Sequence, residues 1–180
     1  EAIINVVRCF KDDNIAHAEG SVDPIRDIET INLELIFSDL ETLEKRMEKA
    51  NKLKRSGDKE AIIEYELMER IKEHLEAGKP VRTFETTEDE KEIVKSLFLL
   101  TSKLVLYAAN ISEEDLIEGK PNEYVKAVEN YIKDEDAGLV YISARIEEEL
   151  SGLDDDEKLE MLQEYGIKES GLDRLIKESY

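Results

Sequence analysis

The 180-residue sequence predicts an α/β fold, a parallel sheet with an inserted antiparallel α-helical coiled-coil hairpin. Three observations carry that reading. Short apolar runs at residues 2–10, 104–109 and 139–142 stop abruptly at polar residues, as strands buried on both faces do. Helical patterns separate them, which is how parallel strands are connected. Between the first two runs lies a far longer helical stretch, part of it with heptad spacing. The expected domains are a sheet domain from residues 1–23 and 86–180, and a hairpin over 24–85.

Residues 2–10 are rich in β-branched side chains and end in charge, the pattern of a buried strand. Cys9 lies inside it and is the only cysteine, so no intramolecular disulfide can form; a reducing, cytoplasmic setting is expected. With no base or second ligand near it in sequence, Cys9 reads as a small core thiol. A polar loop follows with His17, which has no metal-site spacing and reads as structural.

Asp23 and Pro24 supply the cap and first turn of a helix. Apolar residues recur at Ile28, Ile31, Leu35, Ile36, Leu40, Leu43, Met47, Ala50 and Leu53, and from Ile36 the steps alternate four and three. At 1.5 Å per residue this helix is about 48 Å long, more than a small domain is wide. Ser56-Gly57-Asp58 stops it and caps a second helix, with Ile63, Leu67, Ile71 and Leu75 on one face. The two form an antiparallel hairpin.

Charge is uneven along this hairpin. Residues 45–55 hold Lys45, Arg46, Lys49, Lys52, Lys54 and Arg55 against a single acid, Glu48. The whole chain carries 45 acids and a net charge of −20. Phosphate is repelled over most of such a surface, which excludes a general nucleic-acid binder. A basic tip on an acidic body suits contact with RNA or the ribosome through Lys45, Lys49, Lys52, Lys54 and Arg55. A solvated face with i,i+4 pairs, Glu41 with Lys45 and Glu48 with Lys52, explains the same residues without a partner.

Residues 81–85 read as a short extended connector, and Thr86 or Thr87 as the cap of a helix over 92–100, with Glu90 at capping-box spacing from Thr87. The unbroken run from Leu104 to Ala109 is the strand around which the rest is organised. Ser112, followed by acids, caps a short helical turn that Gly119 and Pro121 break. Tyr124, Val128 and Tyr131 mark an amphipathic helix. The third strand ends in Ser143-Ala144. Asp154 and Glu157 box the start of another helix, and a last one follows Gly166, with Leu172, Leu175 and Ile176 apolar. No run approaches the ~18 apolar residues of a membrane span, so no membrane partner is expected.

In open parallel sheets ligands bind beyond the carboxyl ends of the strands. Two strands end there in polar signatures, Asn110-Ile-Ser-Glu113 and Ser143-Ala144. An Asn side chain donates and accepts at once, as a purine edge requires. In folds of the P-loop GTPase type such an Asn, with an acid three residues on, holds the base, and a Ser-Ala turn supports it. Guanine readers have Lys second and Asp fourth. Here Ile111 and Glu113 stand there, which removes the guanine preference and lets an apolar side chain pack on any purine face.

The sequence resembles the YchF family of Obg-like ATPases. The likeness rests on Asn5-Val-Val-Arg-Cys-Phe10, Asp13-Asn14-Ile15, His17, Glu19-Gly20, Asp23-Pro-Ile-Arg-Asp-Ile-Glu29, Asp39-Leu-Glu41 and Leu106-Tyr107. It continues through Asn110 and Glu113, Ile142-Ser-Ala144, Glu147, Glu149-Leu150, Glu164-Tyr-Gly166 and Gly171-Leu-Asp-Arg-Leu175. The resemblance covers essentially the whole chain. It implies an NTPase with a coiled-coil insertion that prefers ATP to GTP and associates with ribosomes. It also implies that Asn110 and Ile111 contact adenine while Glu113, Ser143 and Ala144 support the base pocket.

The family's Gly-x-x-x-x-Gly-Lys-Ser/Thr phosphate loop, its Asp-x-x-Gly switch and its TGS domain are absent, and Lys103-Leu104 stands where Lys-Pro is usual. Without a phosphate loop nothing holds the β- and γ-phosphates or the magnesium. The expectation is therefore a portion of a longer ATPase with no catalytic residues of its own. ATP and Mg2+ would belong to the parent protein, and no cofactor would bind tightly here. An exposed sheet edge open to self-association is expected where strands are missing. The other reading is a non-enzymatic helical-hairpin module that binds RNA or a protein partner.

Overall fold

Three strands form one sheet, in the order β1 (Ala2–Arg8), β2 (Leu104–Asn110), β3 (Gly138–Ile142). The structure, a computed structural model, describes residues 2–12, 14, 16 and 20–180; His17, and Asp13, Ile15 and Glu19 of the resemblance, lie outside the described residues. β2 and β3 are parallel, with Asn110 opposite Ile142. The Cys9 N–H, just past β1, donates to the Asn110 carbonyl at 2.8 Å. All three strands therefore bring their carboxyl ends to one rim.

The chain divides into two compact units, Glu1–Ile28 with Val105–Tyr180, and Glu29–Leu104. In the first, β2 is buried on both faces, as its unbroken apolar run requires. One face packs Val7, Cys9, Val105, Tyr107 and Ala109 against Val125, Val128 and Ile132 of α5 (Glu123–Ile132). The other packs Leu106, Ala108, Val140 and Ile142 against Leu175 of α8 (Gly171–Ser179). Between β2 and α5 lies α4 (Glu113–Glu118), and between β3 and α8 lie α6 (Ala144–Ser151) and α7 (Asp155–Glu164). Ile146, Leu150 and Leu162 join the last two helices. Gly171 has no room for a side chain, since a Cβ there would sit 2.8 Å from Ile142 Cγ2 and 2.8 Å from Glu147 Oε1. That closeness lets Glu147 accept the Gly171 and Leu172 N–H groups and hold the start of α8. Ile4 and Val6 of β1 are exposed, so part of the sheet presents apolar surface.

Cys9 is fully buried, in agreement with its reading as a core thiol. Burial first, and then the Asp27 carboxylate, push its thiol from the usual 9.0 up to about 12. Burial and then Glu129 push the Tyr141 phenol up to about 12 as well. Both groups keep their protons to higher pH when folded than when unfolded. Their stabilisation is complete below the unfolded values and is lost as pH rises through the folded ones. Unfolding followed by urea should therefore show stability falling from about pH 9 to about pH 12. A thiol reagent at pH 8 should leave Cys9 unmodified until denaturant is added; rapid native labelling would contradict the buried placement.

The second unit holds most of α1 (Pro24–Arg55), then α2 (Lys59–Glu76) and α3 (Glu88–Leu97). The α1 bounds match the Asp23-Pro24 start and the Ser56-Gly57 stop. Gly57 takes φ +87°, and the Asp58 side chain accepts from Glu60 and Ala61 N–H, so one chain reversal feeds directly into α2. The helices run antiparallel, since Lys72 Nζ lies 3.2 Å from Glu44 and Lys54 Nζ lies 4.3 Å from the Tyr65 ring centroid. Ile36, Leu43 and Ala50, seven residues apart, are buried with Leu67, Met68, Ile71 and Leu75. Ile31, Leu53 and Ile63 share the helical period but are exposed.

Residues 81–83 form a 3₁₀ turn, not an extended connector, because the Pro80 carbonyl accepts both the N–H and the hydroxyl of Thr83. The helix expected over 92–100 begins and ends earlier. The Thr87–Glu90 capping box starts it, and Phe98 in the left-handed region, φ 53°, ends it. Val81, Leu97 and Leu99 are buried in the same cluster as the helix pair. The compact unit thus reaches residue 104, beyond the 24–85 expected for the hairpin.

Candidate functional site

β2 ends on Asn110, and the geometry around it is tight. Asn110 Oδ1 accepts the Ala144 N–H at 3.0 Å, and the Ile111 N–H donates to the Ile142 carbonyl at 2.8 Å. Asn110, Ile111, Ser143 and Ala144 therefore sit together on the rim. The Ala144 N–H fixes which side-chain atom of Asn110 is the oxygen. Oδ1 keeps a second lone pair, and Nδ2 has no partner among the described residues, so the carboxamide can still donate and accept.

A cavity of about 840 Å³ opens on this rim, lined by Arg8, Phe10, Lys11, Asn110, Ile111, Glu113, Ser143, Ala144 and Arg145 among others. That volume accommodates a drug-sized ligand. Ile111 is only 6% exposed and belongs to the core cluster with Tyr107, so little of it meets the cavity. Ser143 is 1% exposed, and its hydroxyl accepts the Ile146 N–H at 3.5 Å as the cap of α6. Ser112 caps α4 through Asp115 N–H, so the helix-cap reading of that stretch and its place beside the cavity coexist.

Glu113 is not free. Arg145 Nε lies 3.5 Å from its carboxylate and 3.8 Å from that of Glu149. The Tyr165 hydroxyl donates to Glu149 at 3.4 Å; burial first, then the Glu149 and Glu113 carboxylates, hold its phenol above the usual range. Arg145 and Phe10 are not among the residues expected from the sequence. Phe10 lies two residues beyond the carboxyl end of β1, so the strand-end rule points to it. The Arg8 guanidinium lies 5.0 Å from the Phe10 ring centroid and donates to the Phe10 carbonyl.

The basic residues of the hairpin belong to the other compact unit. Lys45 is held by Glu41 at 2.6 Å, and Lys54 lies over Tyr65. Lys49, Lys52 and Arg55 are exposed, and among the described residues none of them has an ion pair; the expected Glu48–Lys52 pair does not form. Among the described residues no group of three or more His, Cys, Asp or Glu is placed to hold a metal ion. No helix among them is long and apolar enough to cross a membrane.

No family model matches the chain. It is 49% identical over 180 residues to the ribosome-binding ATPase YchF of Bacillus subtilis (strain 168), covering 100% of this chain and 49% of that protein. It is 38% identical over 183 residues to Obg-like ATPase 1 of Caenorhabditis elegans, covering 100% of this chain and 46% of that protein. The solved structure of the Schizosaccharomyces pombe YchF GTPase superposes with a TM-score of 0.81 at 34% identity, covering 99% of this chain and 49% of that one. The chain spans about half the length of the curated relatives it matches.

Proposed function

Because this chain belongs, by homology along all its 180 residues, to the YchF-type Obg-like ATPases, we propose that it is the base-reading and arm-bearing portion of a ribosome-associated, cytoplasmic ATPase. The observation that carries the reading is the Asn110 carboxamide, fixed by the Ala144 N–H and still able to donate and accept toward the cavity. Adenine needs that combination, with N7 accepting a hydrogen bond from the Nδ2 amine and the exocyclic amine donating one to Oδ1. Ile111 edges the base, and Glu113, Ser143 and Ala144 shape the pocket.

No phosphate-loop motif occurs in these 180 residues, and they contain no metal cluster among those described. On this reading the groups that would hold Mg2+ and the β- and γ-phosphates belong to other parts of a longer protein. Bound there, Mg2+ would supply positive charge to the phosphates. This chain's own part is to bind and orient the base, and the isolated chain is expected to turn over no ATP. Titration of the complete gene product with ATP and GTP should show tighter binding of ATP. Equal affinity, or no binding of either, would overturn the reading.

Lys49, Lys52 and Arg55, with Lys45 and Lys54 beside them, form the face of the helical coiled-coil arm that meets ribosomal RNA. Reversing Lys49, Lys52 and Arg55 to Glu should weaken cosedimentation with ribosomes and lower the salt slope of binding by about one for each cation taken away from a phosphate. Unchanged cosedimentation would remove the arm from the interface.

A further inference from the structure

We propose that Arg145 sets the purine choice of this rim by occupying the carboxylate of Glu113, the acceptor that guanine needs. The inference rests on the reading of the rim as the base site. Guanine presents two donors, N1–H and the N2 amine, on the edge where a base reader places an acid. Adenine presents a bare acceptor, N1, at the same place. Glu113 supplies the acid, but its Oε2 already has Arg145 Nε at 3.5 Å.

Arg145 is well placed to stay there. It is the second residue of α6, next to Ala144, whose N–H binds Asn110. Glu149, one turn further along α6, lies 3.8 Å from the same Nε, and Glu149 is itself engaged by Tyr165. Two consequences point the same way. Guanine would have to displace the guanidinium before it could use Glu113. Adenine is spared an unneutralised carboxylate facing its N1 lone pair. The Arg145 and Glu113 side chains are 75% and 28% exposed, so water screens the pair and the discrimination is several-fold, not many orders of magnitude.

The test measures ATP and GTP dissociation constants for the complete gene product with Mg2+ present. Arg145→Ala should lower the preference for ATP over GTP about threefold to fivefold. Arg145→Lys should restore most of it, since a cation remains beside Glu113. In the Arg145→Ala background, Glu113→Ala should abolish the gain in GTP binding. An unchanged preference in Arg145→Ala, or the same gain with Glu113 removed, overturns the proposal. Asn110→Ala separates the two levels. If it weakens ATP binding while Arg145→Ala changes nothing, only the role of Arg145 falls. If it leaves ATP binding intact, the base does not sit on this rim and both readings fall.

Discussion

Asp39→Ala is expected to lower the unfolding free energy by about 3–5 kcal/mol. Asp39 lies mid-way along α1 and is 1% exposed. Its carboxylate accepts the Leu100 N–H at 2.7 Å, the Thr101 N–H at 2.8 Å and the Thr101 hydroxyl at 2.7 Å. The Thr101 hydroxyl in turn accepts the Val81 N–H at 3.0 Å. Alanine would strand donors in a site with little water, and each stranded group costs about 1–3 kcal/mol. Partial opening of the site would recover some of that, so the sum is smaller than three independent losses. Asn at this position keeps the shape but turns one acceptor into a donor that faces other donors, and it should cost a large part of the same amount. Urea unfolding of the variants decides the matter, and a loss below about 1 kcal/mol for Ala would mean the carboxylate does not tie α1 to residues 100–101. Glu41→Ala, which removes only the exposed pair with Lys45, should leave the transition where it is.

How legible this fold is in sequence depends on how local its causes are. The start and stop of α1 are set by residues that touch it, Asp23, Pro24 and Gly57, and the structure places α1 at Pro24–Arg55. The capping boxes at Thr87–Glu90 and Asp154–Glu157 are local in the same sense and form as their spacing predicts. β2 is legible because burial on both faces leaves an unbroken apolar run. α6 leaves little mark because it is two turns long, with only Ile146 and Leu150 buried amid acids. Its cap, Ser143, is conspicuous in the sequence only for its place on the rim. Period alone overcounts the core, since Ile63 and Leu53 recur at helical spacing where no partner covers them. The Glu113–Arg145 pair and the Asp39–Thr101 tie join residues far apart in the chain, and neither leaves a local signal. The rim is legible in Asn110 and Ser143-Ala144, whereas the residue that occupies its acid is not.

Asn110→Ala should weaken ATP binding by the complete gene product about tenfold or more. The substitution removes one donor and one acceptor from the base, each worth about 0.5–1.5 kcal/mol net, and tenfold corresponds to about 1.4 kcal/mol. It also removes the acceptor of the Ala144 N–H, so the turn that carries Ala144 and Arg145 loses its tie to β2. Asn110→Asp separates these effects. A carboxylate still accepts the Ala144 N–H, which keeps the rim in register, but it cannot donate to N7 and it brings negative charge toward a ring acceptor. The Asn110→Asp variant should therefore fold as stably as the parent and bind ATP as poorly as the Ala variant. If Asn110→Asp bound ATP with parental affinity, donation from Nδ2 would not be what holds the base, and the acceptor role shared with Ala144 would be the only function left to this side chain.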